Sequence, residues 1–526
     1  MKKELWLFMG LFFTFALLWN LCLPPFEGPD ENAHWEYVRF VYYHWKIPVQ
    51  KEGRLDVPGE GFQPPLYYFL TASFLKIFGV KPENISLQKN PRFGWKKGWE
   101  KLRYIHHGER CLSLHLARLV SLFIGLGTIF ILWKASLLLF ADIRERTLFL
   151  SFGTLIPQFI FMHGVLNNDS LGIFFSTLTL YLLTLYVLHP ARKLIFLAGI
   201  SLGFGFLSKM SCIFLLPLGI GTVILREKRS SIPSLFLFLL GLILVSGWYP
   251  VRNFLIYKDF TGIKAQSISS SACVVNRSIF SRYFFIQFPA SVFTSFFAAF
   301  GWVSIKLPLL IYIFILLGCM LALTGIFFII KERAFSSVFI FHLASFLLIL
   351  FSFVYYNTRF NCPQGRCLYP AILSISTIFV KGYTYLKQKK PLIRKKIFIW
   401  SGICSLAVAL LLGVFYVPFL KILYRLLSIW YNNSRPMYPF PYYTGKVDYL
   451  LWSLFIFLFS FSLGSWTLLF LLSFRCPSSP FLLFVIFNLF SFTHAFLNVT
   501  LFSWEKPAHP EIFLALSTLL FSFHWT

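Results

Sequence analysis

The chain has 526 residues, of which 57% are hydrophobic, 20% aromatic and only 13% charged. Soluble domains carry about 25% charged residues, so this composition excludes a soluble globular protein and predicts many membrane spans. The formal net charge of +28 comes from Lys and Arg residues that lie mostly in short loops between apolar runs. That placement indicates membrane topology and contact with anionic lipids, and it argues against nucleic acid as a partner.

The first predicted element is a membrane span directly after Lys2 and Lys3. A signal peptide would begin in the same way, but no A-x-A-like cleavage site follows, so we expect the span to be retained. Apolar runs of about 20 residues match a hydrocarbon core of about 30 Å, and this criterion predicts an all-α polytopic bundle of about 12–14 transmembrane helices. The candidate spans are residues 5–23, 117–139, 147–166, 171–188, 194–210, 211–225, 233–249, 308–330, 335–356, 368–386, 397–418, 449–474, 479–500 and 511–526.

The basic clusters of the short loops all fall on one side if the N-terminus is cytosolic. They include REKR at 226–229 and KQKKPLIRKK at 387–396. Residues 81–110 are also basic, but they belong to a segment, 24–116, that is longer than the roughly 60 residues over which the charge bias acts. We therefore assign 24–116 to the first extracytosolic loop of a multi-pass cell-membrane protein.

This first outer loop contains ten of the twenty Asp and Glu residues of the chain. None of the acids lies in the middle of a predicted span, where proton-coupled transporters place their carboxylates. The distribution therefore indicates a site built on loops at the extracytosolic face.

Two helices are predicted along the membrane surface within this loop, over residues 30–45 and 65–80. At the head of the first, Asp30 and His34 are four residues apart and therefore share one face. They could act as a base or as metal ligands, whereas the alternative is ordinary helix capping followed by solvated side chains. Trp35, Val38, Tyr42 and Trp45 form an apolar stripe on another face of this helix.

Further polar residues stand at the outer ends of later spans. Asp169 lies in the turn LNNDSLG, although polar residues in turns need no function. Arg252 and Arg366 could bind a phosphate in a bidentate manner, or could be interfacial anchors, and Lys209 has the same two interpretations. Nearby, Cys362 and Cys367 could form a disulfide if their loop lies outside the cytosol.

Seven motifs occur in an order that resembles one family. They are PDENAHWEYVRF (29–40), GFQPPLYYFLTA (61–72), LNNDSLG (166–172), GFLSKM (205–210), WYPVRNFLIYKDFTG (248–262), FFAAFGW (296–302) and PQGRCLYP (363–370). The family comprises bacterial and archaeal membrane proteins grouped beside the GT-C glycosyltransferases, whose relatives include protein O-mannosyltransferases and the aminoarabinose transferases that modify lipid A. The resemblance implies a GT-C-like catalytic module over 1–375, followed by additional transmembrane helices over 376–526.

The resemblance also implies roles for particular residues. Asp30, with Glu31 beside it, and Asp169 are expected to be catalytic. If the sugar donor is linked to a lipid phosphate, a cation must stabilise the negative charge of that phosphate as it leaves. The candidates for this cation are Arg366, Lys209 and a divalent metal, Mg or Mn, held by Asp30, His34 and Asp169. The sequence departs from the family at Phe62, where His or Glu is common, and at Cys367, where Tyr is expected. Gln63 and Arg366 match positions of the family's motifs. Together with His34, Lys209 and Arg252, which the residues alone suggest, they are the predicted substrate-binding residues.

The implied activity is inverting transfer of a sugar from a polyprenyl-phosphate-linked donor to an envelope glycan, lipid or protein acceptor on the extracytosolic face. In this hypothesis Asp30 is the general base. Aromatic residues such as Trp35 and Tyr37 suit a sugar face or a prenyl chain. One alternative is a non-enzymatic transporter or flippase for envelope glycolipid, which predicts a continuous polar path through the spans. The other is a scaffold subunit of envelope assembly. The sequence leaves the sugar, the acceptor, the metal requirement and the oligomeric state open.

Overall fold

A computed structural model describes residues 2–94, 101–106, 111–389 and 485–494. The predicted spans 397–418, 449–474 and 511–526, and part of 479–500, lie outside these residues. The helices are α1 Lys2–Cys22, α2 Glu31–His44, α3 Leu66–Ile77, α4 Leu112–Leu139, α5 Ile143–Thr154, α6 Pro157–Gly164, α7 Asp169–Leu188, α8 Arg192–Ser208, α9 Leu216–Glu227, α10 Ile232–Ser246, α11 Trp248–Tyr257, α12 Ile263–Ser269, α13 Phe288–Phe297, α14 Leu309–Lys331, α15 Ser337–Arg359, α16 Ile372–Gln388 and α17 Val485–His494.

Strands are few and short in the described ranges. β1 (Gln50–Lys51) pairs antiparallel with β2 (Arg54–Leu55) within the first outer loop. β3 (Ala299–Phe300) pairs antiparallel with β4 (Ile305–Lys306), in the turn before α14. The sequence expectation of an all-α membrane fold is therefore confirmed.

Six described helices are long and apolar enough to cross a membrane, or up to eight if each bent helix pair is one span. The predicted span 147–166 is one such pair, because α5 and α6 meet at 50°. The other pair is α10 and α11, which meet at 55°. Pro157 and Pro250 stand in the first turn after each bend. Proline lacks the N–H that would continue the preceding helix, which explains why neither run is straight.

The spans pack closely in a bundle around α7 and α8. α8 contacts α7 and α10, α4 contacts α1 and α7, and α14 contacts α16. Small residues permit this approach: a Cβ on Gly325 of α14 would collide with the backbone of Gly382 in α16.

The two predicted loop helices correspond to α2 and α3, and both pack onto the bundle. Their buried side chains share one apolar cluster with residues from the beginnings of α4 and α7. Trp35 and Tyr37, expected to face a sugar or a prenyl chain, are both 0% exposed and belong to this cluster. They therefore hold the loop in place instead of offering a binding face.

Candidate functional site

Asp30 directly precedes α2 and adopts a left-handed backbone conformation, with φ of 60°. Aspartate tolerates this region better than most residues. Its carboxylate makes no capping hydrogen bond to the helix. Instead, Arg366 Nη2 donates to Asp30 Oδ2 at 2.8 Å. Helix capping, the alternative considered from the sequence, therefore does not describe Asp30.

Asp169 is the first residue of α7 and faces the same arginine. Its Oδ2 lies 3.3 Å from Arg366 Nη1, and its other oxygen pairs with Lys209 Nζ. Two carboxylates from distant parts of the chain thus meet at the two terminal nitrogens of one guanidinium group. Asp30 and Asp169, which were both expected to be catalytic, therefore contact the same side chain in the structure.

Arg366 is held by a 3-10 helical segment, Gly365–Ala371, that packs on α13. The amide of Gly365 donates to Ser295 Oγ at 2.8 Å. A Cβ on Gly365 would collide with the backbone of Phe296, so glycine allows this close approach. The Arg366 side chain is only 9% exposed, and burial restricts its guanidinium to the space between the two carboxylates.

Two polar atoms in this arrangement lack a hydrogen-bond partner among the described residues. They are Arg366 Nε and Asp169 Oδ2, and both atoms are buried. Buried polar groups are nearly always satisfied in folded proteins. Asp169 Oδ2 still faces Arg366 Nη1 as an ion pair, so Arg366 Nε is the atom of this arrangement that has no partner among the described residues.

Glu31, the neighbour of Asp30, is fully buried and is bound by Arg118. Arg118 Nε donates to Glu31 Oε1 at 2.8 Å and Nη2 donates to Oε2 at 2.7 Å. The amide of Leu166 also donates to Glu31, at 2.9 Å. Burial opposes the charge, but the Arg118 cation and these hydrogen bonds hold the pKa of Glu31 below its usual value. Its contacts are those of a residue that positions the head of α2.

His34 is also buried, and its Nδ1 shares a 2.8 Å hydrogen bond with the Tyr68 hydroxyl. Burial lowers the pKa of His34 to about 4, against the opposing effect of the Asp30 and Asp169 charges. The ring is therefore neutral at neutral pH.

The expected metal site of Asp30, His34 and Asp169 does not fit this geometry. No group of three His, Cys, Asp or Glu residues in the described part of the chain is arranged to hold a metal ion. The carboxylates already face the cations of Arg366 and Lys209, and a second positive centre between them would be repelled.

Gln63 connects the first outer loop to the turn before α7. Asn168 Nδ2 donates to Gln63 Oε1 at 3.2 Å, and Gln63 Nε2 donates to Glu60 Oε2 at 2.8 Å. Burial, and then the negative charge of Asp30, raise the pKa of Glu60 to about 7. Glu60 is one of ten acids in the loop 24–116, and its position three residues before the QPP motif is its one distinguishing feature in the sequence.

Arg252 lies apart from these residues. Its Nη2 donates to the carbonyl oxygens of Pro48 at 2.8 Å and of Ile47 at 3.4 Å. Those bonds attach α11 to the first outer loop. The structure therefore does not bring Arg252 to the carboxylates with the other predicted residues.

Cys362 and Cys367 flank Arg366 and are both free thiols. Their side chains share a hydrogen bond, which lowers the pKa of Cys367 to about 7. The two cysteines are therefore in contact, as their spacing suggested, but they are not bonded.

Comparison with known proteins gives a family match within the membrane region. Residues 113–250 match the family model described as dolichyl-phosphate-mannose-protein mannosyltransferase. This range contains Arg118, Asp169 and Lys209, but it covers only part of the chain. None of the curated proteins matches the chain significantly.

Among solved structures, the chain is similar to ArnT from Cupriavidus metallidurans bound to undecaprenyl phosphate, with a TM-score of 0.54 and 15% identity over 94% of this chain and 76% of that chain. The same protein in the apo state gives a TM-score of 0.48 and 17% identity over 94% and 77% of the two chains. The S. cerevisiae protein O-mannosyltransferase Pmt1-Pmt2 complex bound to the sugar donor gives 0.33 and 16% identity over 49% and 34%. Only the first similarity is strong enough to bear on the fold.

The fold match and the family match agree with the resemblance found in the sequence motifs. The resemblance and the polytopic membrane fold are thereby confirmed.

Proposed function

We propose that this GT-C-type membrane protein transfers a sugar from a polyprenyl-phosphate-linked donor to a glycan, lipid or protein acceptor at the extracytosolic face of the cell membrane. The observation that carries the proposal is the Arg366 guanidinium shared by Asp30 and Asp169. The similar ArnT structure binds undecaprenyl phosphate, which supports a donor of the same class. All residues of this arrangement lie within 1–375, which we propose as the catalytic module.

The cations supply a site for the donor phosphate. Arg366 Nε is a buried donor without a partner in the described structure, and the Lys209 ammonium lies at the same carboxylate, Asp169. A phosphate that leaves as an anion is stabilised by fixed positive charge in a buried setting. In this proposal Arg366 and Lys209 stabilise the negative charge on the departing polyprenyl phosphate.

Asp30 is the proposed general base. The acceptor hydroxyl or amine attacks the anomeric carbon, the bond from this carbon to the phosphate oxygen breaks, and its electron pair leaves with the phosphate. The acceptor proton passes to Asp30, and a single displacement inverts the anomeric configuration. Asp169 keeps Arg366 and Lys209 in place, and Glu31 with Arg118 keeps Asp30 at the head of α2.

The test is transfer by the purified protein in proteoliposomes supplied with undecaprenyl-phosphate-linked sugars. Asp30→Asn should lower the rate at least about 100-fold, within the range for loss of acid–base catalysis. Asp169→Asn should lower the rate by a similar factor, because Arg366 and Lys209 would lose the buried carboxylate that keeps them in place. Glu52→Gln is the matched control, because Glu52 is exposed in the same outer loop. Full activity of folded Asp30→Asn protein would refute the proposal, and retained anomeric configuration in the product would refute single displacement.

A further inference from the structure

Three carboxylates surround only two cations in the candidate site. Asp30 pairs with Arg366, and Asp169 pairs with both Arg366 and Lys209. The third carboxylate is Glu60, which makes no ion pair with any residue that the structure describes. The Glu60 carboxylate accepts a hydrogen bond from the neutral amide of Gln63. Glu60 is therefore the carboxyl group that can gain a proton without breaking an ion pair.

Two contacts fix Glu60 beside the heads of α2 and α7. Gly59 has φ of +74°, and a Cβ on this residue would lie 2.9 Å from the Cβ of Ala33 in the first turn of α2. On the other side, the Glu60–Gln63–Asn168 hydrogen bonds lead to the residue before Asp169. The backbone directly before Glu60 therefore approaches α2, and the Glu60 side chain is linked through Gln63 to the residue before Asp169.

We propose that Glu60 receives, by way of Asp30, the proton that the acceptor substrate loses during transfer, and that Glu60 returns this proton to water before the next turnover. This inference rests on the proposed glycosyl transfer. The acceptor O–H or N–H proton moves first to Asp30 as the bond to the anomeric carbon forms, and then to the Glu60 carboxylate. Glu60 becomes neutral, Asp30 regains the charge that pairs with Arg366, and the departing phosphate keeps the electron pair of the broken bond.

The electrostatics of Glu60 agree with this role. Burial and the Asp30 charge raise its pKa to about 7, while the Gln63 hydrogen bond and the charges of Arg366 and Lys209 oppose that rise. A group with a pKa near the working pH is the most effective in proton transfer. Other titratable groups that interact with Glu60 are Tyr68, Tyr356 and Cys273.

The experiment is a pH–rate profile of transfer between about pH 5.5 and about pH 8.5, in proteoliposomes with an undecaprenyl-phosphate-linked sugar. Glu60 must be ionised to accept a proton, so the wild-type rate should rise with pH through about 7. Glu60→Gln should lose this rise and run about 10- to 100-fold slower at neutral pH. Glu60→Asp should keep the rise with a shifted midpoint, and Glu52→Gln should match the wild type.

The outcomes separate this inference from the proposed function. If Asp30→Asn is inactive while Glu60→Gln retains the wild-type rate and pH profile, the proton role of Glu60 is wrong and the transferase proposal stands. If Asp30→Asn is fully active, both fail. If the thermal transition shows that Glu60→Gln does not fold, Glu60→Asp is the deciding variant. A pH–rate profile of Glu60→Asp with the same midpoint as the wild type would overturn the inference.

Discussion

At the scale of single residues, Arg366 is the centre of the proposed site because its chemistry suits two carboxylates at once. A guanidinium is planar and presents donors along two edges, whereas a lysine ammonium is one compact charge. Arg366 uses separate terminal nitrogens for Asp30 and Asp169. Its rigid shape therefore fixes the separation of the two acids.

Replacement of Arg366 by Lys should preserve the positive charge but lose the simultaneous contact with Asp30 and Asp169. One charged hydrogen bond contributes about 1.5–3 kcal/mol, so kcat/KM for the lipid-linked donor should fall roughly 10- to 100-fold. Arg252→Lys is the matched control, since Arg252 donates to backbone carbonyls in the outer loop. Equal kcat/KM for Arg366→Lys and wild-type protein would show that bridging is not needed.

At the scale of helices, one buried ion pair joins four parts of the fold. Arg118 in α4 binds Glu31 at the start of α2, and its Nη1 donates to the carbonyl oxygens of Asn20 in α1 and Leu23 after it, at 2.9 and 2.8 Å. Glu31 in turn accepts from the amide of Leu166 before α7. Since Asp30 directly precedes Glu31 in the chain, this buried ion pair determines where the proposed base lies.

Breaking this joint should destabilise the protein strongly. Arg118→Met leaves the Glu31 charge buried and unpaired, which costs about 3–5 kcal/mol, and the melting temperature in detergent should fall. Arg39→Met is the control, because the Arg39–Glu36 pair is partly exposed and such pairs contribute about 0–1 kcal/mol. Adding Glu31→Gln to Arg118→Met should restore part of the loss. If Arg118→Met had the same melting temperature as Arg39→Met, the Arg118–Glu31 pair would not be the strong stabilising contact described here.

At the scale of the whole molecule, the proposed orientation puts α2, α3 and the segment between α11 and α13 outside the cytosol. Asp30, Asp169, Lys209 and Arg366 lie at helix ends on this side, at the starts of α2 and α7, after α8, and before α16. Basic loop clusters fall on the other side in the same assignment. The orientation therefore makes a specific claim about an exposed native cysteine.

Cys273 lies between α12 and α13 and is exposed. A membrane-impermeant maleimide should label it in intact cells, or in spheroplasts if an outer membrane is present, without permeabilisation. Cys273→Ser should remove that label, which distinguishes it from the other eight cysteines. Labelling of Cys273 only after permeabilisation would place the proposed site on the cytosolic side.

The sequence by itself determined the class of the protein and the positions of its main helices. Hydropathy located α1, α4, α7, α14 and α15, because a span must be apolar over its own length whatever it packs against. The two helices of the first outer loop were also predicted, since their starts and apolar faces are local properties. Bends such as that between α5 and α6 were missed, although Pro157 was a visible signal.

Only the tertiary structure decided which polar residues act together. The structure brings together Asp30, Asp169, Lys209 and Arg366. Arg252, which the sequence also suggested as a phosphate ligand, binds backbone carbonyls of a loop instead. Trp35 and Tyr37 are buried packing residues. The sequence did not reveal the structural role of Arg118, which lies within a predicted span. It also did not distinguish Glu60 from the other acids of the loop. The physical reason is that burial, ion pairing and pKa depend on neighbours supplied by distant segments, whereas hydropathy and helix periodicity are carried by consecutive residues.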